Sequence, residues 1–150
     1  MRLSFDFTNK LLDNLFRGQS LTLNSQLWVG LFNVAPTTSA SGGTEVSALD
    51  YKRQPVERTL FGFCGTQGSG STDPSSGTSG TISNNDTINW PVPTEDWGTI
   101  VGFALFNQEE GTEEPYILYC DLVTPVLIEK NGPAVSFPVG GLQVCLATRS

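Results

Sequence analysis

The sequence predicts a mainly β fold: a single antiparallel β-sandwich, of jelly-roll or immunoglobulin-like type, with one short N-terminal α-helix. Three observations predict it. Gly and Pro together make up 25 of the 150 residues, against roughly one in eight in an average protein, which suits many short strands joined by turns. Hydrophobic residues are only 38% and charged residues 15%, a composition unlike that of a helix bundle or coiled coil. Apolar residues follow helical spacing only near the start and then alternate or run in short blocks. A barrel is the second architecture. Residues 1–150 read as one domain, since the length suits one ordinary core.

The helix is expected over 8–17. Thr8 is its candidate cap, Leu11, Leu12, Leu15 and Phe16 share one face, and Gly18 follows as a stop. Phe7 and Leu12 then stand at the spacing of a hydrophobic staple. So short a helix is marginal alone, and its stripe must dock either on the domain's own sheet or on a neighbouring subunit. Gln26–Phe32 reads as a strand buried on nearly both faces, and 33–43 as a loop broken by Pro36 and the Gly42-Gly43 pair. Tyr51–Arg58 is an extended segment, which Pro55 assigns to an edge or bulge.

Residues 65–81 contain 14 Gly, Ser and Thr among 17. They cannot bury enough apolar area to offset their ordering entropy, and form an exposed loop within the domain. Thr87–Trp90 is a short strand, and Thr94–Gly98 a capped turn with acids near its positive end. Thr99–Phe106 and Tyr116–Asp121 make a hairpin with an acidic tip. Shorter strands are expected at Val126–Ile128 and Val135–Phe137, and Leu142–Ala147 closes the fold by alternation.

Charge and residue content then narrow the function. Fifteen acidic side chains against eight basic give a formal charge of −7, which repels phosphate and argues against nucleic acid and anionic membranes as partners. No apolar run is long enough for a membrane helix, and the first residues do not read as a secretory signal. Histidine is absent, which removes the commonest general base and metal ligand. Cys64, Cys120 and Cys145 are widely spaced, do not form a zinc pattern, and suit thiols in a reducing compartment.

The acids Glu109, Glu110, Glu113 and Glu114 do not match an ordered calcium loop and read as a solvated tip. Asp96 or Glu95 would be the only route to paired-carboxylate hydrolysis. The Ser, Thr and Cys nucleophiles have only Lys10, Lys52 or Lys130 as substitute bases. Neither glycine-rich phosphate motif is present. No enzyme activity, cofactor or metal is expected. Trp28, Trp90, Trp97, Phe103 and Phe106 suit either a sugar-stacking platform or a core, and for Trp28 and Phe103 their apolar strands favour the core. Trp97, on a turn, is the ambiguous one.

An ordered series of blocks carries a resemblance. It runs through Leu27-Trp28-Val29-Gly30-Leu31-Phe32, Pro36, Gly42-Gly43-Thr44-Glu45-Val46-Ser47 and Tyr51-Lys52-Arg53-Gln54. It continues through Ile88-Asn89-Trp90-Pro91, Asp96-Trp97-Gly98-Thr99, Gly102-Phe103-Ala104-Leu105-Phe106, Leu118 to Leu122, Thr124-Pro125, Phe137 and Gly140-Gly141-Leu142. Across about 9–146 the chain resembles a family of small tailed-bacteriophage virion proteins, whose members are labelled tail-fibre proteins or serve as capsid decoration (cement) proteins. It departs from them in a long 65–81 loop and in Asn107, where many relatives place Asp.

The resemblance implies a non-enzymatic β-sandwich subunit, made in the host cytoplasm and carried in the virion. The preferred expectation is a capsid-exterior decoration protein bridging major capsid proteins, as a homotrimer or other symmetric oligomer. The alternative is a tail-fibre, baseplate or host-adhesion subunit. Candidate partner-contacting residues are Leu12 and Phe16 of the helix stripe, Glu45, Tyr51 and Arg53 within the resemblance blocks, and Trp97 on its turn.

Overall fold

A computed structural model of the chain describes residues 1–40 and 42–146. The class is mainly β with one short helix. The elements in order are β1 (Arg2–Leu3), α1 (Phe5–Arg17), β2 (Gln26–Val34), β3 (Thr44–Glu45), β4 (Gln54–Glu57), β5 (Thr81–Ser83), β6 (Ile88–Asn89), β7 (Gly98–Phe106), β8 (Leu118–Ile128), β9 (Ser136–Phe137) and β10 (Gln143–Cys145). The last residue of the expected closing strand, Ala147, lies outside the described residues.

The strands do not divide into two comparable layers. Six of them form one antiparallel sheet in the order β1-β8-β7-β2-β3, with β4 also on β2, and the rest pair as β5–β10 and β6–β9. β2 is the organiser. Along one edge it bonds β7 from Trp28↔Phe106 to Phe32↔Gly102. Its other edge is shared, with β4 opposite Gln26 to Val29 and β3 opposite Phe32 and Val34. A bulge between Phe32 and Val34 marks where that second edge is handed over.

Alternation along β2 and β7 sorts their side chains into two clusters. Leu27, Val29, Leu31, Phe103 and Leu105 face the larger core, which is covered by Ile88 of β6 and by Trp90 and Leu142, next to β6 and β10. Phe32, Ala104 and Phe106 face the other way and pack with Tyr116 and Tyr119. Both faces of the sheet are therefore buried at its centre, which is why β2 reads as an almost unbroken apolar run.

Three local expectations are corrected. The helix starts at Phe5 and is capped by Ser4, whose hydroxyl accepts the Phe7 N–H at 3.2 Å. Thr8 instead donates its hydroxyl proton back to the Ser4 carbonyl. Both residue types cap well; Ser4 prevails because β1 pairs with β8 and the Ser4 N–H bonds the Ile117 carbonyl at 3.0 Å, so the chain is already held there. Second, the two strands expected at Tyr116–Asp121 and Val126–Ile128 are one, β8. Its Pro125 falls in the irregular stretch between Asp121 and Val126, where a missing N–H breaks no ladder. Third, the expected capped turn at Thr94–Gly98 is a bend at Thr94 and Glu95 running into β7 at Gly98, and the carboxylate that takes the Thr94 N–H comes from Asp50.

The 65–81 loop is exposed along most of its length, as its composition requires, yet it has internal order. Its own polar groups supply it: Thr66 donates to the Ser76 carbonyl at 2.7 Å, Gln67 to Pro74 at 3.0 Å, and Ser79 to Thr66 at 2.5 Å. Asn85 ties it to the body by accepting the Gly70 N–H at 2.9 Å. Side-chain hydrogen bonds here do the work that apolar burial does elsewhere.

Candidate functional site

Three of the six sequence candidates, Glu45, Tyr51 and Arg53, meet in one network on the main sheet, and Trp97 adjoins it through the Tyr51 ring. β3 carries Glu45 across from Phe32, and the segment leading into β4 carries Tyr51 and Arg53. The Arg53 guanidinium grips Glu45 with two hydrogen bonds of 2.8 Å. It donates further to the Gln108 carbonyl at 3.0 Å and the Gly111 carbonyl at 2.9 Å. Its planar face lies 3.4 Å from the centre of the Phe106 ring, a contact in which a cation meets the negative face of an aromatic. The Arg53 side chain is only 5% exposed, so these partners replace the water it has lost.

Tyr51 extends the network. Its hydroxyl donates to Glu45 at 3.1 Å and accepts the Leu31 N–H at 2.7 Å. Burial pushes the phenol well above its ordinary value, and the Glu45 carboxylate pushes the same way, so Tyr51 keeps its proton at any working pH. The Tyr51 ring meets Trp97 edge-on at 5.4 Å. The Trp97 indole N–H donates to Asp50 at 2.8 Å, and Asp50 also accepts the Thr94 N–H at 2.5 Å and its hydroxyl at 2.9 Å. Led by the Thr94 backbone bond, these donors hold the Asp50 carboxyl below its ordinary value.

Trp97 is thus a buried plug, and not an exposed contact. Leu12 and Phe16 stand elsewhere, on the outward side of α1 and largely exposed. No α1 residue is fully buried; of the stripe Leu11 is half-buried, while Leu12, Leu15 and Phe16 are exposed and do not dock on the protein's own sheet.

Several residues that complete the site were not among the candidates. Phe106, Gln108 and Gly111 supply three of the five Arg53 contacts, and Gly30 supplies room. A Cβ on Gly30 would lie 2.6 Å from the Glu45 carboxylate and 2.8 Å from the Phe106 ring. A glycine inside an apolar strand is the sequence signal for so close an approach. Around Arg53 a hollow of about 420 Å³ opens between the aromatic floor of Phe32, Phe106 and Tyr116 and the acidic rim of Glu113 and Glu114. Chemically the arrangement fastens. Both Glu45 oxygens are engaged by Arg53, and one also by Tyr51. The guanidinium thereby ties the acidic hairpin tip to the sheet. Among the described residues no three His, Cys, Asp or Glu side chains come together to hold a metal ion.

The family comparison now bears on this framework. A family model described as podophage GP4 fiber I protein gp80 matches residues 3–145, nearly the whole chain. The chain belongs to the gp80 fiber I family. This makes it a bacteriophage virion structural protein, in line with the resemblance carried by the ordered blocks. The gp80 match takes in everything from Leu3 of β1 to the end of β10, and so includes the Arg53 network as well as α1. No curated protein matches the sequence. No described helix is long and apolar enough to cross a membrane.

Proposed function

We propose that this protein is a non-enzymatic fibre subunit of the phage particle. On this reading the main sheet and its two small companions act as one sandwich-like block, and other virion proteins are its partners. The observation that carries the reading is the gp80 fiber I match across 3–145. The site chemistry supports it: the buried charged groups are spent on each other and on backbone carbonyls, an arrangement that fixes shape and supplies no acid–base pair. Capsid decoration, the role placed first on the sequence resemblance, takes second place because the matched family is described by its fibre.

Immunogold labelling or cryo-imaging of intact particles tests the assignment. Label confined to fibres is expected. Label spread evenly over the head, with bare fibres, would restore the decoration role.

A further inference from the structure

The hollow beside Arg53 holds one cation of the protein's own and has room for another. Phe32 and Phe106 share one face of β2 and β7, their rings within 6° of parallel and their centres 6.3 Å apart. Tyr116 meets both edge-on, at 5.9 Å and 5.8 Å. The Arg53 guanidinium lies over the Phe106 ring, and Glu45 matches its charge. The hollow also borders Phe32, Tyr116, Glu113 and Glu114, and its volume is about 420 Å³. Small-ligand sites span roughly 300–1,000 Å³ and combine an apolar lining with a few polar groups, as this one does.

The rim is not neutralised. Glu113 and Glu114 are exposed, and among the described residues neither takes part in an ion pair. Glu114 accepts the Asn107 side-chain N–H at 3.2 Å. A neighbouring hollow, which shares Glu45, Arg53, Gly111 and Thr112, adds Glu109, Glu110 and Lys52. Five carboxylates against two cations thus line the pair of hollows. Charges of one sign beside apolar walls focus the field and concentrate ions of the other sign. An anion is repelled there, and a wholly apolar group would strip water from the carboxylates without replacing it.

We infer that this hollow receives a basic side chain, lysine or arginine, presented by a partner protein. The alkyl stem lies against Phe32 and Tyr116, and the charged head meets Glu113 and Glu114. Arg53 is the precedent on the page: its guanidinium already combines a ring face, Phe106, with a carboxylate, Glu45. The walls are set before anything binds. Arg53 pins the hairpin tip through the Gly111 carbonyl at 2.9 Å, and the Tyr116 hydroxyl accepts the Thr37 N–H at 2.8 Å. A hollow fixed in this way loses little freedom on binding. The partner has to be positive where it meets this face, which argues against a second copy bringing the same acids. The inference goes beyond the fibre assignment and does not depend on it.

An amide NMR titration of the isotope-labelled full chain with the peptide acetyl-Gly-Gly-Lys-Gly-Gly-amide tests this. Saturating shifts are expected at residues 42–45 and 111–116, which wall the hollow. The peptide's lysine ε-methylene protons should move upfield through the ring current of the aromatic floor. The Nε-acetylated peptide should bind at least about 10-fold more weakly, since it keeps the stem and loses the charge. Glu113→Gln/Glu114→Gln should weaken binding about 5-fold or more. The charge-matched variant Glu57→Gln/Glu129→Gln, on exposed residues away from the hollow, should stay within about 2-fold of the parent, because salt screens distant charges. Equal binding of the acetylated peptide overturns the inference, as does a rim variant that binds like the parent. So do shifts that spread over the acidic surface without saturating. Spermidine or methyl α-glucoside moving the same amides at lower concentration than the peptide would overturn the assignment to a partner's side chain. None of these outcomes touches the fibre assignment, which particle labelling decides separately.

Discussion

Arg53 shows what a single residue contributes here. Its guanidinium joins β3, the chain entering β4 and the tip of the β7–β8 hairpin through Glu45 and two carbonyls. Replacing it by Met leaves Glu45 half-buried without its counter-charge, and should cost roughly 3 kcal/mol. The double variant Glu45→Gln/Arg53→Met should lose less than Arg53→Met alone; chemical denaturation that ranked the double variant lower would contradict this account. Asn84 is a second such residue. Fully buried, it accepts the Leu142 N–H and donates to the Asp86 and Pro138 carbonyls, so Asn84→Ala should cost roughly 2–4 kcal/mol by stranding them. Asp50 sets a pH dependence. Its carboxyl lies below the ordinary 3.8 in the folded chain, so its contribution is complete above that value and is lost as pH falls through the folded one. Trp97 fluorescence should report this acid transition, and Asp50→Asn should lack it.

At the scale of elements, the spacing of Leu11, Leu12, Leu15 and Phe16 made α1 legible, but amphipathicity alone does not say what a stripe faces. A stripe docked on the protein's own sheet would make Leu12→Asp and Phe16→Asp severely destabilising. With both side chains exposed, each should shift stability by no more than about 0.5 kcal/mol, and thermal melting distinguishes the two. The 65–81 loop was likewise legible as exposed from its composition. Its hydrogen bonds to itself were not, because they depend on which Ser and Thr meet after folding. Replacing 72–78 by a short linker should change the melting midpoint only slightly, since loop-closure entropy varies slowly with length. A large loss would mean that the loop braces the body through Asn85.

For the whole molecule, a formal charge of −7 and a pI near 4.3 place the solubility minimum above the pH at which the folded chain's Asp50 loses its charge. Turbidity across pH 3–7 should therefore peak near the pI, and a peak at neutral pH would contradict the charge argument. The mainly β class, the short helix, the central strands β2 and β7 and the exposed loop were all determined by sequence alone, since composition, period and turn residues act locally. The family was legible too, through the order of its blocks. Only the tertiary structure decided that β8 runs through Pro125, that Ser4 caps α1 in place of Thr8, that Glu45, Tyr51 and Arg53 share one network, and that Leu12, Leu15 and Phe16 of the helix stripe face water. Each of these depends on groups distant in sequence arriving at one point: an open edge for a proline, a carbonyl for Ser4, a vacant Cβ at Gly30 for a carboxylate. A local pattern specifies which surface a segment offers, whereas the partner that covers it is chosen by the assembled chain.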